Sequence, residues 1–268
     1  MERDSAIGLL RDGFFEVESL RGLFIGGSLS HGYADEWSDI DFVGIASEEA
    51  QTDIAARWLV IIETRTPIVH RMQHRQGAAL LLNIVTVEWL RIDLLLVPMC
   101  LFSKGRSRDR IQVLFDRDDA AAGLPPALPP RTPDPEKVRG IILEFVRIMG
   151  LLPVVAGREE WFIATTGTGL LRGLVQNLLM EEVSEPDRGG ALNLKRYLPA
   201  HDVALLTSLP YPAPERNAVI QAHAAIARTF MHRARPLSDR LGLEWPDAFI
   251  TATRRRLLST LGAAAADW

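Results

Sequence analysis

Three short stretches of this chain hold residue types that can do chemistry together. The first, Gly26-Gly27-Ser28, follows the apolar run Leu23-Phe24-Ile25. Glycines let a backbone come close to a phosphate. A helix starting near Leu29 would turn free N–H groups toward an anion, and Ser28 adds a hydroxyl. Alone, Gly-Gly-Ser is ordinary turn chemistry. The second stretch is Ser38-Asp39-Ile40-Asp41. Side chains two apart on a strand share a face, so Asp39 and Asp41 project together while Ile40 and Phe42 pack the other way. Two carboxylates side by side repel. A hard divalent cation relieves that repulsion, and Mg²⁺ at a phosphoryl-transfer site is the common case. The plain alternative is an edge strand with a wet polar face. The third is Asp93, in Arg91-Ile92-Asp93-Leu94-Leu95-Leu96-Val97. An unpaired charge in so apolar a run is costly, so it needs a cation. Arg91 on the same face is one candidate; a metal shared with Asp39 and Asp41 is the other.

Positioning these residues takes an α/β framework. Residues 7–20 are apolar at helical spacing (Leu9, Leu10, Phe14, Phe15, Val17), which predicts an opening helix. Residues 23–25 read as a strand entering a tight turn, and residues 39–45 alternate as a second strand. Residues 48–63 carry Ile54, Trp58 and Ile61 on one helical stripe. Residues 79–86 and 90–97 are β-rich runs parted by Val87-Glu88-Trp89, which predicts a hairpin. Residues 124–135 contain Pro125, Pro126, Pro129, Pro130, Pro133 and Pro135. Such a stretch fits neither a helix interior nor a central strand, so a stiff linker is expected. Beyond it, residues 136–152, 159–183, 191–209, 215–241 and 245–261 all show helical periodicity, punctuated by Pro153, Pro186, residues 210–214 and Gly242. Residues 263–266, all alanine, read as a frayed helix end. The expected fold class is α+β: a small mixed sheet with helices, followed by an all-helical bundle.

Composition narrows the function. The chain has 268 residues and a formal net charge of -4, so it has no global basic field to draw it onto nucleic acid. The single cysteine, Cys100, excludes an intrachain disulfide and is expected to pack at the end of an apolar strand. Met1-Glu2-Arg3-Asp4 is not followed by the pattern of a signal peptide, and charge or proline interrupts the longest apolar runs. A soluble protein of the reducing cytoplasm, with no membrane partner, is expected.

Together, the strand, Gly27-Ser28, Asp39-Ile40-Asp41 on the next strand and Asp93 on a later one resemble the DNA polymerase β-like nucleotidyltransferase superfamily. Leu114-Phe115-Asp116-Arg117-Asp118 resembles the segment that follows the third carboxylate in small-molecule members. The second half is similar to the helical domain of bacterial lincosamide and aminoglycoside nucleotidyltransferases and their uncharacterised relatives. The similarity lies in Leu192-Asn193-Leu194-Lys195-Arg196-Tyr197-Leu198, residues 223–235, and Leu241-Gly242-Leu243-Glu244-Trp245-Pro246. The resemblance implies a nucleotidyltransferase domain over 1–123, a linker over 124–135 and a helical acceptor-binding domain over 136–268. It implies that Gly27 and Ser28 hold the triphosphate of an NTP, with ATP expected. Asp39 and Asp41 would ligate Mg²⁺, and Asp93 would complete a two-metal site or act as general base. A nucleoside monophosphate, AMP from ATP, would pass to a hydroxyl of a small molecule, with antibiotics among the candidate acceptors.

Other positions carry weaker expectations. Lys195 and Arg172 could reach phosphate oxygens, although structural cations are as common. Glu159 and Glu160 open a long helix where some antibiotic-modifying relatives place a catalytic carboxylate; two acids favouring a helix N-terminus is the plainer account. His31 could line the nucleotide site, and Trp37 or Trp161 could stack on a ring, though aromatic residues are more often core. Two other functions remain in play. One is nucleotidylation of a protein or RNA end, as in toxin–antitoxin-type members. The other is a nucleotide-binding module with a retired active site.

Overall fold

The computed structural model describes residues 1–188 and 191–268. The chain divides into two compact units, Met1–Pro129 and Pro130–Trp268. The first begins with α1 (Arg3–Phe15), β1 (Gly22–Ile25), a single turn of helix α2 (Gly27–Ser30) and β2 (Ile40–Ile45). It continues with α3 (Glu48–Glu63), β3 (Ile68–Gln76), β4 (Ala79–Thr86), β5 (Arg91–Val97), α4 (Met99–Phe102) and β6 (Gln112–Asp116). The six strands form one sheet in the order β3-β4-β5-β2-β1-β6. Strands β2 and β5 pair in parallel, and every other pair is antiparallel.

The alternation of β2, β4 and β5 decides which face is covered. Ile40 and Phe42, Leu80, Leu82 and Ile84, and Ile92, Leu94 and Leu96 are buried against Leu10 and Phe14 of α1 and Ile54, Trp58 and Ile62 of α3. Trp58 is fully buried, with ring contacts to Phe14 at 5.2 Å and Phe42 at 4.7 Å between centroids. Truncating such a residue typically costs about 3–5 kcal/mol. The opposite face carries a smaller cluster of Phe24, Val43, Ile45, Val97, Phe102 and Leu124. That cluster covers only the far ends of β2 and β5 and leaves the end bearing Asp41 and Asp93 outside it.

The proline-rich stretch is not a uniform tether. Leu124 is buried in the smaller cluster, and the carbonyls of Pro125 and Pro126 accept from Arg108 N–H at 2.9 Å and Asp109 N–H at 3.2 Å. Farther along, Asp134 caps the next helix, its carboxylate accepting from Glu136 N–H at 3.0 Å. Cys100 is a correction: it is exposed on α4 and does not pack. The strand ends before it, at Val97, and Pro98 starts a new turn.

The second unit is helical: α5 (Pro135–Gly157), α6 (Trp161–Glu181), α7 (Leu194–Tyr197), α8 (Ala200–Ser208), α9 (Arg216–Arg240), α10 (Asp247–Leu261) and α11 (Ala263–Ala266). Phe145 of α5 stacks on Phe230 of α9 with ring centroids 3.7 Å apart, at the centre of a core drawn from α5, α6, α9 and α10. Among the described residues, α5 alone is long and apolar enough by composition to cross a membrane. Its Val138, Ile142, Phe145, Val146 and Met149 are fully or almost fully buried in this core, so we read it as a core helix. Pro153 does not end α5; it is buried inside it. The alanine run is not frayed either. Gly262, with φ 91, breaks the chain from α10, and Ala265 packs into the core.

Candidate active site

The sheet's register builds a row of side chains across its less covered face. Asp41 of β2 lies opposite Asp93 of β5. Antiparallel pairing sets Asn83 of β4 opposite Asp93, and Met72 of β3 opposite Asn83. On the other side of Asp41, Gly26 N–H donates to its carbonyl at 2.8 Å. The row therefore runs Met72, Asn83, Asp93, Asp41, Gly26, and ends on the turn that starts α2.

That turn is fitted to Asp41. Gly27 has φ +57, a left-handed conformation that costs an L side chain roughly 1–2 kcal/mol. A Cβ there would stand 1.9 Å from Oδ2 of Asp41. Glycine is thus required twice, by backbone conformation and by the carboxylate's approach. The next side chain, Ser28, has its hydroxyl oxygen buried with no hydrogen-bond partner. A buried hydroxyl left unsatisfied is costly, and an incoming phosphate oxygen would satisfy it. Helix α2 has only four residues. It offers the free N–H groups of a helix start, but not the macrodipole of a longer helix.

Asp93 is half-buried, and burial is the main cause that pushes its carboxyl pKa up. The nearby negative charge of Asp39 adds to the rise, while a hydrogen bond from the Asn83 side chain and the charge of Arg91 oppose it. Arg91 is not the dedicated partner of Asp93. Its guanidinium reaches Asp39 at 3.4 Å and donates to the Trp37 carbonyl at 3.1 Å. Asp39 itself lies just before β2, not within it.

The three carboxylates do not form a ready metal cage. Among the described residues, no three His, Cys, Asp or Glu side chains are grouped to hold a metal ion. Asp41 and Asp93, neighbours on one face, still suit Mg²⁺, which usually takes one or two carboxylates and completes its shell with substrate phosphates and water. The unsatisfied Ser28 hydroxyl and the carboxylate-filled space over Gly27 fit the same combination. Asp39 faces Arg91 at 3.4 Å, a partner that competes with a metal for it.

Of the other expected site residues, His31 stays at the turn and the ones in the second unit sit elsewhere. Lys195 is exposed on α7 in the second unit. Glu159, with φ 56, and Glu160, the residue before α6, are exposed and make no capping hydrogen bond through the Glu160 side chain. Arg172 is a structural cation of the second unit: it donates to the carbonyls of Leu209 and Leu206 and lies 3.6 Å over the Tyr211 ring. Trp161 packs against the helical core. His31 closes α2, with Nδ1 against the Gly27 carbonyl and its ring 5.4 Å from that of Tyr33. Of the segment after the third carboxylate, Asp116 accepts from Ala120 and Ala121 N–H, and Asp118 pairs with Arg21. Both hold the fold together.

Sequence reasoning missed Asn83 and Arg110. Asn83 touches Asp93 through the register of an adjacent strand, and the only signal for that was the hairpin itself. Arg110 lies beside α2: its carbonyl accepts from Ser30 Oγ at 2.9 Å, and its Nη1 is 3.4 Å from His31 Nε2. Nothing in the local pattern of residues 106–110 marks it.

Comparison with solved structures gives low-identity similarities. The chain matches an aminoglycoside 6-adenyltransferase from Bacillus subtilis over 96% of its own length and 97% of that chain, at 13% identity and a TM-score of 0.42. It is also similar to terminal uridylyl transferase 4 from Trypanosoma brucei. With UTP and UMP bound, the match is 14% identical, covers 78% of this chain and 66% of that one, and has a TM-score of 0.32. With GTP bound, the figures are 15%, 82%, 65% and 0.30. No family profile and no curated protein sequence matches the chain.

Proposed function

We propose that this protein is a Mg²⁺-dependent nucleotidyltransferase that moves a nucleoside monophosphate, AMP from ATP, to a hydroxyl of a small molecule. The observation that carries the reading is the fit of Gly27 to the Asp41 carboxylate beside the unsatisfied Ser28 hydroxyl, with Asp93 next in the row. A buried hydroxyl without a partner at the turn, beside two carboxylates on neighbouring strands, is what supports the reading.

In this reading Gly27 and Ser28 hold the triphosphate, and Asp41 and Asp93, with Asp39 if it leaves Arg91, would hold Mg²⁺. Bound there, Mg²⁺ would neutralise charge on the phosphates. Asp93, directed by Asn83, faces the acceptor hydroxyl and takes its proton. A bond forms between the acceptor oxygen and the α-phosphorus, and the bond from that phosphorus to the pyrophosphate oxygen breaks. An antibiotic is one candidate acceptor.

The test is pyrophosphate release with each NTP and Mg²⁺ against an acceptor panel, alongside calorimetry of Mg²⁺-dependent ATP binding. Wild type should bind ATP in a Mg²⁺-dependent manner, and an Asp39→Asn/Asp41→Asn protein should not. Equal binding by both would sink the assignment.

A further inference from the structure

In-line transfer places the attacking oxygen opposite the leaving pyrophosphate. With the triphosphate on Gly27 and Ser28, at the β1 end of the row, the acceptor must approach from beyond Asp93, over β5 and β4. The end of those two strands nearest Asp93 is closed by the turn Val87-Glu88-Trp89-Leu90.

This turn is firmly built. Trp89 N–H donates to the Thr86 carbonyl at 2.9 Å, Thr86 N–H to the Leu90 carbonyl at 3.0 Å, and Val87 N–H to the Pro67 carbonyl at 3.0 Å. The Glu88 carboxylate accepts from Thr66 Oγ1 at 2.7 Å and Thr86 Oγ1 at 3.0 Å. Within it, Trp89 has φ 65. That left-handed position in a short hairpin loop belongs to glycine, and a bulky residue there is a true outlier. The side chain gains nothing visible in return, because Trp89 is 77% exposed. A large aromatic ring is held in a strained turn, in the open, four residues before Asp93.

We infer that the Trp89 indole is a specificity-determining element of the acceptor site, receiving the ring face of a cyclic hydroxylated acceptor whose hydroxyl reaches Asp93. The inference rests on the nucleotidyltransferase reading above. An indole offers both apolar area and a π face, so it suits an aromatic ring or the C–H face of a sugar ring. An acyclic polyol would gain little from it.

The experiment compares wild type with Trp89→Gly and Trp89→Phe. Label transfer from α-phosphate-labelled ATP is followed to adenosine, 4-nitrophenyl glucoside and kanamycin as cyclic probes, with mannitol as the acyclic control. Calorimetry follows Mg²⁺-dependent ATP binding, and Tm is read for each protein. Trp89→Gly should raise Tm by about 3 °C or more, because glycine relieves the backbone. It should raise KM for a cyclic acceptor at least tenfold, leave kcat within a few-fold and leave ATP affinity unchanged. Trp89→Phe should recover most of the KM. A merely structural tryptophan would lose Tm on the same change. The inference is overturned by a lower Tm in Trp89→Gly, an unchanged KM, mannitol labelled as well as the rings, or no cyclic probe labelled by an enzyme that binds ATP. Weakened ATP binding in Trp89→Gly also overturns it, by assigning the ring to the nucleobase. Wild type that fails to bind ATP with Mg²⁺ removes the underlying reading, and the acceptor role with it.

Discussion

Gly27 and Asp41 share one volume: the carboxylate oxygen Oδ2 fills the space a Cβ on Gly27 would need, at 1.9 Å. Gly27→Ala should therefore do two things. The left-handed backbone alone should cost roughly 1–2 kcal/mol, read as a lower Tm. Displacing Asp41 should also abolish Mg²⁺-dependent ATP binding in the fraction that stays folded, as measured by calorimetry at a temperature where both proteins are folded. Gly26→Ala is the control. Its backbone is extended and a Cβ there would meet nothing nearer than 3.9 Å, so nucleotide binding should persist.

The pair formed by Arg91 and Asp39 gives a second prediction. Both side chains are about one-third exposed, and such pairs are worth at most about 1 kcal/mol. Arg91→Gln should leave Tm nearly unchanged. It should also release Asp39 toward the metal side, so the Mg²⁺ concentration giving half-maximal ATP binding should fall. A rise in that concentration would show that Arg91 serves the phosphates instead.

Much of this arrangement was legible because its signals are local. The alternation in Asp39-Ile40-Asp41-Phe42 and in residues 91–97 follows directly from one side of the strand being buried under α1 and α3. Helix α3 and the hairpin of β4 and β5 were bounded by their own periodicity to within a residue. Strand β3 was not legible: from His70 to Gln76 it is exposed on both faces at the sheet edge, so no hydrophobic alternation marks it. Asn83 was missed because its place depends on the register of the hairpin, and Arg110 because it meets α2 from a distant segment. The sequence left two partners open for Asp93, and the pairing of Arg91 with Asp39 was not visible in it. Asp93 shares its strand and its face, but Asp39 comes within reach only once β2 and β5 are laid side by side.

His223 supplies a pH prediction for the helical unit. It is 2% exposed, its Nδ1–H donates to the Val219 carbonyl at 3.0 Å, and Thr168 Oγ1 lies 3.3 Å from the same nitrogen. Burial drives its pKa from 6.5 down to about 4. Between those values the unfolded chain binds the extra proton, so stability falls as pH drops. The contribution is whole above about 6.5 and lost by about 4, an upper bound of about 3 kcal/mol. Urea unfolding across pH 7 to 4.5 should show this decline in wild type, and His223→Gln should flatten it. Equal slopes would mean that other groups dominate.

Asp93 gives the last prediction, because its two possible duties have opposite stability signatures. If it were half of a structural pair, removing its charge would strand a cation. The cation nearby is Arg91, which already reaches Asp39 and the Trp37 carbonyl. The pKa of Asp93 is raised, chiefly by burial and further by Asp39, so its ionised form is less favourable in the fold than in the unfolded chain. Neutralising it should relieve the fold, not weaken it. Asp93→Asn keeps the shape and can still bond to Asn83. It should therefore melt at the wild-type temperature or above at pH 7, while losing base and metal-ligand character. Turnover should fall by about 10²–10⁴-fold for the loss of the base. Thermal unfolding and pyrophosphate release on the same preparation separate the alternatives. A variant that melts clearly lower yet keeps its activity would make Asp93 a structural residue and leave the row without its reactive member.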